Sequence, residues 1–369
     1  MLGRLKGAPV NDGPMLIIAN PTSGRGKGTR IAAAVSEFLG AQGVEVEVRH
    51  TTASGDAEHI ARETIATRCC LNTPPPSQGE GGGEGPIRTH HPSPDLSPQG
   101  ERGIQAQPAS RPLRCVVACG GDGTVQQVAN VLAELRSSLG DACPVLGLAP
   151  AGRCNDFARA FGIPTDPAII TDVLLNGRAL PTDLGRVNGR YFCTVATAGA
   201  DAEVSNYVDT MRMPLRGTLA YLYGAIRVLI HYRPYDIKIT GDFGVVERPM
   251  LLASTANTSC YGGAIRIAPD ADPTDGLLDL CVIDRVTRLR AITLIPALLA
   301  GRHGRCPAVH FLRARNLTIE SRHPLELWAD GERIARTPAT IEVVPAALRV
   351  LRPSNQRTPE IHISPSRRS

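Results

Sequence analysis

The sequence predicts two units: an α/β unit with a mostly parallel sheet, then a unit built mainly of antiparallel strands. Three observations lead to this fold class. Between residues 15 and 161, short apolar runs alternate with stretches of helical periodicity across short connections, the pattern of right-handed βαβ units. After about Asp183 the pattern changes to alternating runs broken by turn residues, as in antiparallel sheets. The stretch 72–112 fits neither unit. It holds 9 Pro and 7 Gly in 41 residues, with no Phe, Tyr or Trp. Such a segment buries too little apolar surface to offset its chain entropy, so it reads as a disordered insert. Its pieces SQGEGGGEG and SPQGERG resemble drifted copies of one unit.

Each element follows from its pattern. Met15–Asn20 is a short apolar strand, and Gly28–Gly40 has helical periodicity and stops at glycine. Val44–His50 alternates with period two; Asp56–Arg68 is helical. Arg114–Ala118 is an apolar strand leading into a helix over Thr124–Arg136. Val145–Leu148 is a further strand, and a helix starts over Asn155–Phe161. In the second unit, DLGRVNGRYFCTVAT reads as a hairpin around Asn188-Gly189, a dipeptide suited to a type I′ turn. Strand-like runs follow at Tyr235–Thr240, Met250–Thr255, Leu277–Asp284, Val309–Leu312, Leu317–Ser321 and Leu325–Trp328. Helical stretches at Pro214–Ile230 and Arg288–Ala300 interrupt them.

Composition excludes several classes. The chain has 369 residues, 42% of them hydrophobic, and a net charge of +5. It is too apolar for overall disorder, too poor in Gly for collagen, and too long and Cys-poor for a disulfide scaffold. The charge is too small to imply nucleic acid, and it suits a protein that visits an anionic membrane surface. No apolar run approaches the ~20 residues of a membrane span, so a soluble or peripheral protein is expected. The ten cysteines include a vicinal pair, Cys69-Cys70, and no CxxC, which favours reduced, mostly buried thiols in the cytoplasm.

Two Gly-rich turns fall where strands end, the position at which parallel α/β sheets bind ligands. One is Asn20-Pro21-Thr22-Ser23-Gly24-Arg25-Gly26-Lys27-Gly28; the other is Cys119-Gly120-Gly121-Asp122-Gly123-Thr124. Glycines there let backbone N–H groups approach phosphate oxygens, and the following helix adds its positive end. Either turn alone can be a plain tight turn; the pair, on adjacent βα units, points to phosphate. Asp122 would repel phosphate unless Mg²⁺ lies between them, or it caps the following helix.

VVACGGDGTV resembles the GGDGT motif of the diacylglycerol kinase catalytic-domain family, which includes bacterial lipid kinases, sphingosine kinases and ceramide kinases. Asn20-Pro21-Thr22-Ser23-Gly24 resembles that family's NPxSG, and residues 150–159 (PAGRCNDFAR) its PxGTxNDFAR. Pro273-Thr274-Asp275-Gly276 resembles its acceptor-side DG loop, and Asp330-Gly331-Glu332 its late DGE. The five motifs occur in order over roughly residues 14–352. The resemblance implies a phosphofructokinase-like α/β lobe over 14–180 and a β-sandwich acceptor lobe over 181–340. A return segment over 341–352 is expected to pack near the first lobe, and the basic, Pro-containing stretch over 353–369 reads as a flexible tail.

The resemblance further implies ATP-dependent phosphorylation of a lipid hydroxyl such as that of diacylglycerol, with Mg²⁺. Asn20, Ser23, Gly24, Thr51, Gly120, Gly121, Asp122, Gly123, Thr124 and Asn155 would meet nucleotide, with Asp330 and Glu332 approaching from the second lobe. Asp275 and Asp122 are joint candidates for the general base. Asp236 loosely matches a structural magnesium position, or is a surface Asp. Two departures stand out: Gln126-Gln127 replaces Asn-Glu, and Arg153 replaces Thr, where it would pair with a phosphate oxygen or with Asp156.

The acceptor side reads less sharply. Asp270, Asp272, Asp275 and Asp279 supply carboxylates for base catalysis, or form a solvated acidic or calcium-like loop. Leu215–Ile230 lines an apolar substrate pocket, rests at a membrane interface, or is an ordinary buried helix. Arg285, Arg288, Arg290, Arg302, His303 and Arg305 meet anionic headgroups or form a solvated face. The expected location is cytoplasmic, peripheral to the inner face of the membrane. An NAD-kinase-like enzyme, or a non-catalytic nucleotide-binding relative, are the alternatives.

Overall fold

The computed structural model describes residues 13–68, 111–210, 218–263 and 265–354. Apart from Arg111 and Pro112, the stretch expected as an insert lies outside them. So do Cys69-Cys70, residues 214–217 of an expected helix, and the tail beyond Ser354.

The first unit comprises β1 (Met15–Ala19), α1 (Lys27–Ala41), β2 (Val46–His50), α2 (Asp56–Arg68), β3 (Cys115–Gly120), α3 (Asp122–Leu139), β4 (Val145–Pro150), α4 (Asp156–Ala160) and α5 (Pro167–Asn176). Its strands lie in the order β2-β1-β3-β4, all parallel. Every residue of β1, β3 and β4 is buried, as strands covered by helices on both faces require. The short α5 escaped the sequence pattern, yet its signals are local. Asp166 accepts the Ala168 and Ile169 N–H groups, and Pro167 opens the helix.

The second unit comprises β5 (Arg178–Val187), β6 (Arg190–Phe192), β7 (Val195–Gly199), α6 (Ala200–Thr210), α7 (Thr218–His231), β8 (Tyr235–Gly241), β9 (Gly244–Ala256), β10 (Leu278–Asp284), α8 (Arg288–Leu299), β11 (Val309–Ala314), β12 (Asn316–Ser321), β13 (Glu326–Ala329), β14 (Glu332–Arg336) and β15 (Ala339–Arg352). Its pairings are antiparallel, and the region is a β-sandwich. Strand β10 shows why its run is so apolar. Leu278, Leu280 and Val282 enter one core, while Cys281 and Ile283 enter another beneath α7 and α8. The eight described cysteines are all free.

The hairpin around Asn188-Gly189 forms, with both residues in the left-handed region. Its second arm is cut in two, however. Cys193 and Thr194 donate their N–H groups to Asp330 instead of continuing the ladder. Past that break, β7 leaves β5 to pair with β9 and β13.

Strand β15 joins the units. It pairs with β12 and β5 at its start, and with β5 and, in parallel, β4 at its end. Register shifts between Val344 and Leu348, where Ala346 takes a φ of 49° and donates its N–H to Asp183 Oδ1 at 2.7 Å.

His303 corrects the sequence reading. It is 1% exposed, its Nε2 lies 3.0 Å from the Ile267 carbonyl, and its ring packs edge-on against Phe311. Desolvation lowers its pKa, so it belongs to the interior and not to a cationic surface. Arg285, Arg288, Arg290, Arg302 and Arg305 are exposed.

Candidate active site

The two Gly-rich turns pack against each other at the carboxyl ends of β1, β3 and β4. In the first, Gly24, Arg25 and Gly26 are left-handed in succession, with φ of 55°, 61° and 85°. A Cβ on Gly24 would lie 2.1 Å from the Ala151 carbonyl oxygen, so the loop after β4 closes over this turn. In the second, Gly152 donates its N–H to the Gly120 carbonyl, and its Cα lies 3.4 Å from where a Gly121 Cβ would sit. A Cβ on Gly24 would push the loops apart, and so would one on Gly152, which would lie 2.5 Å from the Gly121 Cα.

Around these turns lie two adjoining cavities. The first, about 410 Å³, is lined by Asn20, Thr51, Gly123, Thr124 and Glu332, joined by the loop over residues 52–54 and by Gln127. The Asp56 carboxylate shapes that loop by accepting the Thr52 and Ala53 N–H groups. The second, about 290 Å³, is lined by Asp122, Arg153, Asp156, Thr194, Trp328 and Asp330, with Tyr261 and Gly262 at its far side. The cavities share their rim. The start of α3 gives Asp122 to the second and Gly123 to the first; the β13–β14 turn gives Asp330 to the second, and Glu332, which opens β14, lines the first.

A third, apolar pocket continues from the second cavity, because Tyr261 and Gly262 line both. Leu222 and Leu229 of α7, Leu251 of β9, and Leu294 and Leu298 of α8 form its walls.

Three carboxylates crowd the second cavity. Burial raises the Asp122 pKa, although Asp122 Oδ1 accepts the Phe157 N–H. Burial, reinforced by the charge of Asp122, pushes Asp156 up to about 7, against the Gly263 N–H that it accepts. Burial likewise lifts Asp330 to about 6, even though it accepts the Cys193 and Thr194 N–H groups and the Thr194 hydroxyl. Among the described residues, no three His, Cys, Asp or Glu side chains converge as a ready-made metal site.

The remaining sequence candidates separate. Ser23, Gly24, Gly120 and Gly121 form the floor where the turns meet. Asn155 spends both polar atoms on Gly152, accepting its N–H and donating to its carbonyl, so it buckles the loop. Asp275 lines none of the three cavities; its carboxylate is held by Arg313 and by the Leu277 N–H. Asp236 is exposed on β8, in a polar groove with Lys238, Arg248 and Arg322. Arg153 makes no ion pair with Asp156: it is exposed at the edge of the second cavity. Sequence reasoning missed Thr197, Tyr261 and Trp328 as parts of the cleft. They come from separate strands and a loop, and no motif links them.

Both units of the chain match known families. Residues 14–71 and 96–187 match the family described as the diacylglycerol kinase catalytic domain. Residues 194–352 match the YegS C-terminal NAD kinase beta sandwich-like domain. A diacylglycerol kinase of Mycobacterium tuberculosis is 36% identical over 68% of this chain and 81% of its own length. One of Bacillus subtilis is 29% identical over 86% of this chain and 88% of its own. The crystal structure of a diacylglycerol kinase from Bacillus anthracis str. Sterne superposes with a TM-score of 0.62, covering 92% of this chain and 97% of that one; at 20% identity it speaks for the fold. No helix among the described residues is long and apolar enough to cross a membrane.

Proposed function

The chain belongs to the diacylglycerol kinase catalytic-domain family and is a lipid kinase; we propose that it transfers the γ-phosphoryl group of ATP to a lipid hydroxyl, with nucleotide in the first cavity and acceptor in the second. The shared rim carries this reading. A donor and an acceptor on its two sides meet across Asp122-Gly123 and Gly331, which suits in-line transfer. The N-termini of α1 and α3 emerge from the two Gly turns, and the positive ends of these helices favour phosphate. Asn20, Thr51 and Thr124 add polar contacts along the nucleotide.

The residues fit Mg²⁺ as well. This ion takes one or two carboxylates beside phosphate oxygens, and Asp122 stands at the rim amid like charges that a cation would relieve. Held by Asp122, Mg²⁺ would neutralise charge on the phosphates. Asp122 is also the candidate general base, because it lines the acceptor cavity beside the rim. The acceptor oxygen bonds to Pγ as the Pγ–O bond to the β-phosphate breaks. The hydroxyl proton passes to Asp122, and ADP leaves. Asp275, engaged by Arg313 away from the cavities, is the weaker candidate for base.

The apolar pocket beyond Tyr261 takes hydrocarbon, which favours an amphiphilic acceptor over a dinucleotide. Leu289, 74% exposed between Arg288 and Arg290, offers an apolar and cationic contact for an anionic membrane surface.

Purified protein with Mg²⁺, labelled ATP and a panel of lipid alcohols tests the proposal. Transfer to diacylglycerol is expected, with Asp122→Asn lowering kcat by about 10²–10⁴-fold while nucleotide still binds. Asp275→Asn should cost less. Phosphorylation of NAD in place of any lipid would refute this reading.

A further inference from the structure

We propose that Arg153 is the cation that binds the γ-phosphoryl group during transfer. The assignment rests on the lipid kinase reading above and adds to it a residue for the reacting end of the nucleotide.

The argument is one of position and charge. Arg153 follows Gly152, which is bonded to the Gly120 carbonyl and packed on Gly121, so the side chain leaves the backbone beside the phosphate-binding turn. It lines the second cavity with Asp122 and not the nucleotide cavity, which places it at the γ end and away from the α and β phosphates. It is the one cation among the residues lining that cavity, against Asp122, Asp156 and Asp330. Its neighbours do not use it. Asp156 accepts the Gly263 N–H, and Arg159 donates to the Gly263 carbonyl. Among the described residues Arg153 has no ion pair or hydrogen bond, so its planar donors are open to phosphate oxygens. Charge accumulating on the γ-phosphoryl oxygens beside three carboxylates needs such a partner.

Arg153→Ala and Arg153→Lys test this, with two readouts. The first is lipid kinase kinetics. Arg153→Ala should lower kcat on the order of 10²-fold or more. Arg153→Lys should recover only part, since an ammonium lacks the planar fork. The second readout does not depend on turnover. Trp328 is the sole tryptophan and lines the same cavity, so its emission follows binding. Wild type should bind Mg-ADP with aluminium fluoride, a mimic of the transferring group, at least tenfold more tightly than Mg-ADP alone. Arg153→Ala should lose that preference while holding Mg-ADP within about threefold, and should melt at the wild-type temperature. An unchanged kcat and preference in an active enzyme would overturn the assignment alone, as would a loss confined to KM for the acceptor. A wild type that binds no nucleotide and phosphorylates no lipid would overturn the kinase reading with it.

Discussion

Asp156 shows how the cleft sets function against stability. Its pKa rises from 3.8 unfolded to about 7 folded, chiefly through burial and then through Asp122. The folded state therefore favours the protonated acid. That contribution is fully present below pH 3.8 and is lost as pH rises through 7. A shift of this size corresponds to roughly 4 kcal/mol at most. Asp156→Asn keeps an oxygen for the Gly263 N–H and removes the charge. It should raise the melting temperature at pH 8 by several degrees, and it should flatten the decline of stability between pH 5 and 8. Melting curves across that range check both, and a variant with the wild-type slope would count against a carboxylate titrating near 7. Asp330 is raised by burial as well, to about 6, but it anchors more of the surrounding backbone. It takes three hydrogen bonds from Cys193 and Thr194, so Asp330→Ala would strand buried donors at about 1–3 kcal/mol each. Chemical denaturation should show a loss of several kcal/mol. The motif pointed to Asp330, but its partners lie 136 and 137 residues away, and no local pattern announces them. His303 fails for the same reason, since burial is a property of the finished fold.

At the scale of elements, α1 carries a constraint that helix propensity would get wrong. Gly28 lies in its first turn, where Ala is ordinarily worth about 1 kcal/mol more than Gly. Here a Cβ would sit 2.1 Å from the Asn20 carbonyl oxygen, and that atom is backbone that cannot swing aside. The clash outweighs the propensity. Gly28→Ala should be destabilising by 1–3 kcal/mol, the usual range for overpacking, and should shift the Asn20 turn that lines the nucleotide cavity. Weaker nucleotide binding, measured by calorimetry, should accompany the lower melting temperature; a stabilised variant would show that the turn yields. The β1–α1 and β3–α3 units were legible because each joins a fully buried strand to an amphipathic helix, two periods that are hard to confuse, while half-exposed β2 showed itself by its period-two alternation. The boundary between β6 and β7 was not. Its cause is a carboxylate from another hairpin, which interrupts a run that reads as continuous.

For the whole molecule, the decisive element is the pair β5 and β15, which runs through both cores. Leu184 packs in the first core and Val187 in the second; Leu348, Val350 and Leu351 pack in the first, and Ile341 and Val343 in the second. The strand changes core between Val343 and Val344, and just beyond that crossing Ala346 sits in a left-handed conformation that an L-residue adopts at a cost. Glycine adopts it freely, so Ala346→Gly should stabilise by about 1 kcal/mol, net of its extra unfolded-state freedom, or slightly less. Proline cannot take a φ of 49° and has no N–H for Asp183. Ala346→Pro should therefore break the strap while leaving each core its own packing. Wild type should melt in one calorimetric transition, because neither core can open without pulling on the strands of the other. The proline variant should melt in two, and its nucleotide cavity, whose Glu332 comes from the second unit, should bind more weakly. One depressed transition in that variant would mean that the cores are coupled through the cleft itself. In that case the contacts of Asp330 and Glu332, and not the strap, would hold donor and acceptor sides in register.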